Sequence, residues 1–151
     1  MRSLYLEDLQ VGQTFEAGPA RVSEADVLDF ARRFDPQPFH LDDTAARKTL
    51  FGALAASGWH TAALTMSMMV EGGVPLADGI IGMGGEISWP RPTRPGDVLR
   101  VTSEVLEIVP SRSRPGQGRV KMRTTTLNQN DEPVQVLVAN LVVFSRDTQR
   151  G

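Results

Sequence analysis

Hydrophobic residues recur along the chain at two different spacings, and this change of period divides the sequence into two halves. Apolar positions three or four residues apart follow Ser23, which is typical of an amphipathic helix. They are Val27, Leu28, Phe30, Ala31 and Phe34. Ser23 can accept a hydrogen bond from the amide of Asp26, so we predict a capped helix over Ser23–Phe34. Pro36 should end it, because the residue before a proline disfavours the α conformation.

The segments on either side of this helix are shorter and less regular. Gln13–Val22 has the composition of a strand that is interrupted at Gly18 and Pro19. Prolines stiffen Asp35–Asp43, for which we predict an extended conformation. A second short helix is predicted over Thr44–Leu50.

One segment would be apolar on almost every side of a helix. Trp59–Val70 contains no acidic residue, lysine or arginine, and Gly72 and Gly73 follow it as a stop signal. A helix without a polar stripe is buried on every side. We therefore predict that Trp59–Val70 forms a helix at the centre of the molecule.

The second half of the chain has the period of β-strands. Four are predicted: Ile80–Trp89, Val98–Val109, Arg119–Asn128 and Pro133–Ser145. Along the third predicted strand, polar residues alternate with residues that would face the core. This alternation is typical of a sheet with one face packed against the core and one face exposed to water. The packed face would carry Val120, Met122, Thr124 and Thr126. Pro110–Gly118 and Asn128–Glu132 are then the connections between hairpin strands.

This order of elements favours an α+β fold in which one antiparallel β-sheet wraps around a long central α-helix. The alternative is an open α+β sandwich with the helix on one face of the sheet. We favour the wrapped arrangement because the helix has no polar stripe. A curled sheet of this size leaves edge strands to be covered, so we also expect a homodimer.

Composition and charge exclude several classes of function. The 151 residues fit one domain, predicted over residues 1–151, and 16 basic residues against 18 acidic ones leave a net charge of −2. Because nucleic-acid binding needs a basic excess, no nucleic-acid partner is expected. Arg112, Arg114 and Arg119 form a loose basic group, interpreted as a solvated loop or, alternatively, as the site of a cofactor phosphate.

The residue types and segments that are absent limit which cellular locations and which cofactors can be expected. Cysteine is absent, which removes disulfides, thiolate metal sites and cysteine nucleophiles. The N-terminus turns acidic too early for a signal peptide. The longest apolar stretch, around Ala62–Val70, is shorter than the ~20 residues of a membrane span. We therefore expect a cytoplasmic protein without membrane contact, with no metal site and no cofactor.

The chain contains two histidines, which limits the candidates for an acid–base group. His40 lies five residues after Asp35, and Pro36 and Pro38 restrict the backbone between them. Such a segment can hold a carboxylate and an imidazole in a fixed relation. His40 could then move a proton near neutral pH, and Asp35 could activate water or orient the ring. The spacing is also compatible with a plainer interpretation, in which Asp35 ends a helix and His40 is a half-buried loop residue.

The start of the central helix is a second candidate. Ser57 can cap the helix, and Gly58 lets a ligand approach the backbone closely. The first amides of a helix have no internal acceptor and carry partial positive charge, so they can hold a developing oxyanion. Capping alone also explains these residues. His60, in the first turn, and Trp89–Asp97, a turn between strands, are both interpreted as structural.

Several segments together resemble the MaoC-like dehydratases, which include the R-specific enoyl-CoA hydratases. Phe34–Asp42 resembles the family's hydratase motif, in which Asp, any residue, Asn, Pro, an apolar residue and His follow one another. Leu9–Gln13, Ala56–Gly58 and Arg91–Asp97 extend the resemblance along nearly the whole chain. The motif's Asn is Gln37 here, and its extra methylene is expected to shift the bond that Asn makes in the loop.

The resemblance implies a hot-dog fold, assembled as a homodimer or a dimer of dimers. It implies a site near the subunit interface for an acyl thioester, carried by coenzyme A or by protein-bound pantetheine. It assigns Asp35 and His40 to the activation of water and the Gly58 amide to the thioester oxyanion. The neighbouring residues that are expected to contact the substrate are Gln37, Phe39, Ser57 and Trp59.

The leading hypothesis is the reversible hydration of a trans-2-enoyl thioester to a 3-hydroxyacyl thioester. One alternative is a thioesterase, which would direct water at the carbonyl and release free thiol. Another is a non-catalytic acyl-thioester-binding protein, an interpretation that Gln37 motivates. Affinity for acyl-CoA without turnover would favour that last alternative.

Overall fold

The computed structural model describes residues 2–146, and its strands form one antiparallel sheet in the order β1–β3–β4–β5–β2. The strands are β1 (Thr14–Arg21), β2 (Ile81–Ser88), β3 (Val98–Pro110), β4 (Gln117–Leu127) and β5 (Pro133–Phe144). The helices are α1 (Glu24–Phe34), α2 (Pro38–Leu41), α3 (Asp43–Ala46) and α4 (Gly58–Met68). A 3₁₀ turn spans Leu6–Asp8, and a π-helical turn, Met69–Gly73, directly follows α4 and contains a kink at Gly72. The predicted domain of residues 1–151 includes Met1 and residues 147–151, which lie outside the described residues.

The sheet curls around α4, which confirms the predicted wrapped α+β arrangement of the hot-dog fold. Helix α4 and its π-helical extension contact β1, and α4 itself also contacts β3 and β5. The core between helix and sheet contains Met68 and Met69 from the helix and Leu99, Val120 and Val143 from the strands. Within residues 2–146, none of the helices has the length and apolarity that crossing a membrane requires.

Three local predictions from the sequence are confirmed in detail. The Ser23 hydroxyl caps α1 by accepting a hydrogen bond from the Asp26 amide at 3.1 Å. The predicted interruption of the first strand is a break in the pairing of β1 with β3, at Gly18 and Pro19. The alternation along β4 is confirmed as well, because Val120 and the other three residues of its predicted inward face are buried.

The prediction of an extended segment over Asp35–Asp43 is wrong, because the short helix α2 lies within it and α3 begins at its last residue. Pro38 is the first residue of α2, a position where its fixed φ suits a helix and its missing N–H costs nothing. The Asp42 carboxylate then accepts from the Thr44 amide and starts α3. The predicted helix over Thr44–Leu50 is correspondingly shorter and earlier, over Asp43–Ala46.

The prediction that the central helix is buried on every side is also wrong. One stripe along it is exposed in the single chain, formed by Trp59, Ala63, Met66 and Val70. The neighbouring edge strand β2 is exposed along nearly its whole length, including Ile81 and Met83. The cause is geometric, because the sheet of one chain covers only part of the circumference of its helix.

Candidate active site

The turn between α1 and α2 brings Asp35 and His40 together. The Asp35 amide still bonds the Ala31 carbonyl of α1, at 2.9 Å, whereas Pro36 cannot continue the helix. The Gln37 amide bonds back to the Asp35 carbonyl at 2.8 Å, which closes a tight turn before α2 begins. One turn later the His40 ring faces Asp35, with 3.4 Å between Nε2 and Oδ2.

The backbone fixes which nitrogen of His40 carries a proton. Nδ1 lies 2.7 Å from the carbonyl oxygen of Ala55, and a carbonyl can only accept, so Nδ1 is the donor. In the neutral ring, Nε2 therefore presents its lone pair beside Asp35. The ring is almost fully buried and packs perpendicular to the ring of Phe39, at 4.6 Å between centroids. The hydrogen bond to Ala55 thus fixes the orientation of the His40 imidazole and leaves Nε2 available to accept a proton.

Hydrogen-bond donors surround the Asp35 carboxylate. Gln37 Nε2 donates to Oδ1 at 2.5 Å, and Ser57 Oγ donates to Oδ2 at 2.7 Å. Burial raises the pKa of Asp35, but the hydrogen bonds from Gln37 and Ser57, with a smaller electrostatic effect of His40, outweigh it. The pKa of Asp35 accordingly lies below its ordinary value, and the group is ionised at neutral pH.

The start of α4 presents a backbone amide to the same region. Ser57, which is fully buried, caps the helix by accepting from the Trp59 amide at 3.2 Å. Gly58 is the first residue of α4, so its own amide has no acceptor in a preceding helical turn. A side chain at Gly58 would stand 2.6 Å from the indole of Trp89. The residue must therefore be glycine if Trp89 is to cover it.

These groups line one pocket of about 570 Å³, which is within the range of small-molecule sites. Of the residues predicted to act, those in its wall are Asp35, His40, Gly58 and Trp59. The structure places the other three behind the wall, where Ser57 and Gln37 bond the Asp35 carboxylate and Phe39 packs on His40. Their predicted direct contact with substrate stays a prediction.

The sequence analysis missed one wall of the pocket. Trp89, Arg91 and Thr93 line it, although their segment was interpreted only as a turn. Trp89 is held by a hydrogen bond from Nε1 to the buried Gln135 side chain, at 3.0 Å. A tryptophan among prolines, directly before a strand, was the only signal of this role, and it is a weak one.

Arg94 supports the part of the pocket wall that Phe51 forms. Its guanidinium donates to the carbonyl oxygens of Phe51, Ala53 and Leu54, the last two at 2.7 and 3.3 Å. Phe51 lines the pocket and packs at 4.8 Å against Phe39, which in turn contacts the ring of His40. Arg94 thereby helps to hold a loop that has no regular secondary structure.

The second histidine has a different environment. His60 is buried away from the pocket, stacked on Phe30 at 4.8 Å, and its Nδ1 has no hydrogen-bond partner among residues 2–146. Burial lowers the pKa of His60, against a smaller opposing effect of Asp26. Over the same residues, no three acidic or histidine side chains are grouped as metal ligands would be.

Comparison with known proteins identifies the family of this chain. The family model described as MaoC like domain matches residues 8–129. This chain belongs to the MaoC-like domain family. A solved structure of a MaoC-like dehydratase from Rhodospirillum rubrum superimposes on it with a TM-score of 0.95 and 57% identity, over 97% of this chain and 100% of that one.

Two further relatives carry names that state an activity. The 3-hydroxybutyryl-CoA dehydratase of Methylorubrum extorquens is 36% identical over 115 residues, which is 76% of this chain and 71% of that protein. An unliganded R-hydratase from Pseudomonas aeruginosa has a TM-score of 0.77 and 31% identity, over 95% of this chain and 88% of that one. The family of this chain therefore includes hydratases and dehydratases.

The departure of this MaoC-like domain from the family motif has a visible consequence. Gln37 replaces the motif's Asn, and the longer side chain was expected to shift its hydrogen bond. Its amide reaches the Asp35 carboxylate, so the side chain supplies a donor directly to the candidate acid–base pair.

Proposed function

We propose that this MaoC-like domain catalyses the reversible addition of water to a trans-2-enoyl thioester, which gives a 3-hydroxyacyl thioester. The observation that carries the proposal is the placement of Asp35, His40 and the first residue of α4, Gly58, in the wall of one pocket. Hydration needs a base for water and a donor for the thioester oxygen, and these residues supply both.

Each proposed step uses a specific atom. Water lies between the ionised Asp35 carboxylate and His40 Nε2, and Nε2 takes its proton as the oxygen bonds to C3 of the enoyl group. The electron pair of the alkene moves toward the thioester oxygen, where the Gly58 amide stabilises the enolate. A donor of this kind is typically worth about 3–4 kcal/mol in the transition state. His40 then returns the proton to C2, and the elimination of water follows the same path in reverse.

The bond from Gln37 to Asp35 bears on the alternatives. The non-catalytic interpretation rested on the loss of the motif's Asn, but an amide donor to the carboxylate is still present at 2.5 Å. This bond supports a working acid–base pair. The names of the two hydratase-type relatives favour addition to the alkene over hydrolysis of the thioester.

We further propose that the protein acts as a homodimer on coenzyme A thioesters. Its edge strand β2 exposes Ile81 and Met83, and the central helix exposes a stripe that begins at Trp59 in the pocket wall. An edge strand with free backbone groups and an apolar neighbour fits a second copy of the same strand. The relative from Methylorubrum extorquens is named for a CoA substrate.

The reaction itself is tested with crotonyl-CoA. We expect loss of the enoyl absorbance, a product heavier by one water, and no free thiol by a thiol-reactive dye. Thiol release from butyryl-CoA at a comparable rate would instead indicate a thioesterase. Tight binding of both thioesters with neither reaction would contradict the proposal and favour a binding protein.

A further inference from the structure

A buried polar network crosses the core from the central helix to the pocket wall. Gln135 of β5 and Thr126 of β4 are paired across the sheet, and both are fully buried. Both reach Thr65 of α4, since Gln135 Nε2 lies 3.3 Å and Thr126 Oγ1 lies 2.6 Å from Thr65 Oγ1. At its other end, the Gln135 amide accepts the hydrogen bond of the Trp89 indole at 3.0 Å.

The hydrogen bonds of this network allow only one orientation of the Gln135 amide. Thr65 Oγ1 donates its proton to the Thr61 carbonyl at 2.9 Å, so it can only accept from Gln135 and from Thr126. The indole nitrogen of Trp89 can only donate. Nε2 of Gln135 must therefore face Thr65, and Oε1 must face Trp89.

A glutamine at this position is not needed to fill the core. Apolar residues do so elsewhere on β5, as Val134 and Leu141 show. Burying an amide costs free energy that its hydrogen bonds mainly offset, so the net gain in stability is small. What glutamine adds over an apolar side chain is a directional bond that fixes the indole of Trp89.

The indole that Gln135 holds lies against the first residue of the central helix. A side chain at Gly58 would stand 2.6 Å from the ring of Trp89, so the ring packs against the backbone there. Trp89 and Gly58 also line the pocket together with Asp35 and His40. An indole at this place excludes water from the Gly58 amide, and a donor shielded from water stabilises a developing charge more strongly.

We propose that Gln135 is a positioning residue of this site, which holds the Trp89 indole against Gly58 and so keeps the Gly58 amide shielded for the thioester oxygen. The inference rests on the proposed hydratase function. Gln135 does not line the pocket and acts only through Trp89. The thioester oxygen carries most charge in the transition state, so the loss of Gln135 lowers kcat more than it raises KM.

The first test is hydration of crotonyl-CoA by three variants of Gln135. Gln135→Met keeps the length without the amide, and Gln135→Asn keeps the amide but is too short to reach both partners. Removing an oxyanion donor outright costs about 10²–10³ in kcat, so we expect a smaller fall of roughly tenfold in both, with a nearly unchanged KM. Gln135→Glu should recover most of kcat at mildly acidic pH, because a buried, protonated carboxyl keeps one acceptor and one donor.

A matched control removes a different buried hydrogen bond from the same strand as Thr126. Thr124→Val loses the bond between Thr124 and Ser103, which spans 2.9 Å and does not reach Trp89. It should leave kcat unchanged. A kcat that is equal in wild type and Gln135→Met, or equally low in Gln135→Met and Thr124→Val, would overturn the proposal.

A double-mutant cycle shows whether Gln135 acts through the indole. In Trp89→Phe the ring has no donor for Gln135, so adding Gln135→Met should cause no further loss of kcat. The same tenfold loss in both backgrounds would show that Gln135 acts by another route, and the proposal would fail.

Fluorescence reports the position of the indole directly. The chain has two tryptophans, so Trp59→Phe leaves Trp89 as the only emitter. Adding Gln135→Met should shift the emission to longer wavelength and increase quenching by acrylamide, whereas adding Thr124→Val should change neither. Identical emission and quenching with and without Gln135→Met would show that Gln135 does not hold the ring.

A measurement without turnover separates this inference from the proposed reaction. Infrared spectroscopy of bound butyryl-CoA, labelled with ¹³C at the carbonyl, reports the hydrogen bond to the thioester oxygen. We expect a lower carbonyl frequency on wild type than on Gln135→Met. This difference without any hydration by wild type would refute the reaction but support the role of Gln135. Hydration by wild type with the same frequency on both proteins would refute the role of Gln135 alone.

Discussion

Asp35 accepts hydrogen bonds from two side chains that lie behind the pocket wall. Gln37 and Ser57 each donate a hydrogen bond to one carboxylate oxygen of Asp35, and both bonds favour its ionised form. Water activation by the pair requires that form, because a protonated carboxyl has lost its negative charge and is a weaker acceptor for the proton of water. The rate should therefore fall as the pH drops through the pKa of Asp35.

Replacing Gln37 should shift the acidic limb of the pH–rate profile, which is the range in which the rate falls as the pH is lowered. Gln37→Met keeps the length of the side chain but removes the donor, so the pKa of Asp35 rises and the loss of kcat/KM begins at a higher pH. The measurement is the pH profile of kcat/KM for crotonyl-CoA. Gln10→Met changes an exposed glutamine elsewhere and should leave the limb in place. An acidic limb that is identical in both variants would show that the Gln37 bond does not tune Asp35.

Gly58→Ala tests the contact between Gly58 and Trp89. The new methyl group would collide with the indole, so ring and helix start must move apart. A displacement of about 1 Å in a catalytic site can cost 10²-fold, and we expect a fall in kcat of that order. Adding Trp89→Phe to this variant should recover part of the loss, because the smaller ring gives way. A combined loss equal to the product of the two single losses would contradict this contact.

At the scale of single residues, the sequence revealed chemistry better than packing. Asp35 and His40 could be selected because their residue types and the prolines between them suit an acid–base pair and because the segment resembles the hydratase motif; the spacing alone also fitted a helix end and a loop residue. Trp89 could not be placed over Gly58, because that contact depends on how the sheet curls and on a hydrogen bond that Trp89 donates to Gln135, a residue far along the chain. Ser57 was recognised as a helix cap, but its bond to Asp35 was not foreseen.

At the scale of structural elements, the loop over residues 51–54 connects the fold to the candidate site, because Arg94 holds it and Phe51 lines the pocket. Arg94→Met would leave the carbonyl oxygens of Phe51 and Leu54 without their charged donor. Losing such partners typically costs about 1–3 kcal/mol of stability. We also expect a higher KM, because Phe51 lines the pocket.

Urea unfolding and steady-state kinetics test this prediction together. Arg32→Met is the matched control, since Arg32 makes only an exposed ion pair with Asp29, and such pairs contribute about 0–1 kcal/mol. Equal stability of the two variants would show that Arg94 does not hold the loop.

The regular elements were predictable where one face is packed and the other is wet. Strand β4 shows this, because its buried positions alternate strictly and so carry the period in the sequence. The short helix α2 shows the limit. Two prolines argued for an extended segment, but Pro38 occupies the first helical position, where proline is favourable. Four residues are too few to display a helical period.

For the whole molecule, the exposed stripe on the central helix and the edge strand β2 remain to be covered. The sequence correctly showed that the helix lacks a polar face. It could not show that part of this face lies outside the sheet of its own chain, because burial by a second chain leaves the same apolar pattern. The predicted homodimer accounts for both the pattern and the exposure.

Substitution on this stripe tests the dimer. Val70 and Val11 are equally exposed, at 64% each, but only Val70 lies on the stripe. Val70→Lys places a charge in the proposed interface and should shift the protein toward monomer in sedimentation experiments. Val11→Lys should leave the assembly unchanged. A wild type that sediments as a monomer, or a dimer that tolerates both changes equally, would contradict the proposed interface.

The most direct test of the central claim compares the two histidines in one assay. Hydration of crotonyl-CoA is measured for wild type, Asp35→Asn, His40→Asn and His60→Asn, each normalised to folded protein by circular dichroism. Loss of a positioned acid–base group typically costs 10²–10⁴-fold, so Asp35→Asn and His40→Asn should lose about that much kcat/KM. His60→Asn should stay within a few-fold of wild type, since its ring lies outside the pocket. Equal activity of His40→Asn and His60→Asn would contradict the assignment of His40 as the proton-transferring group.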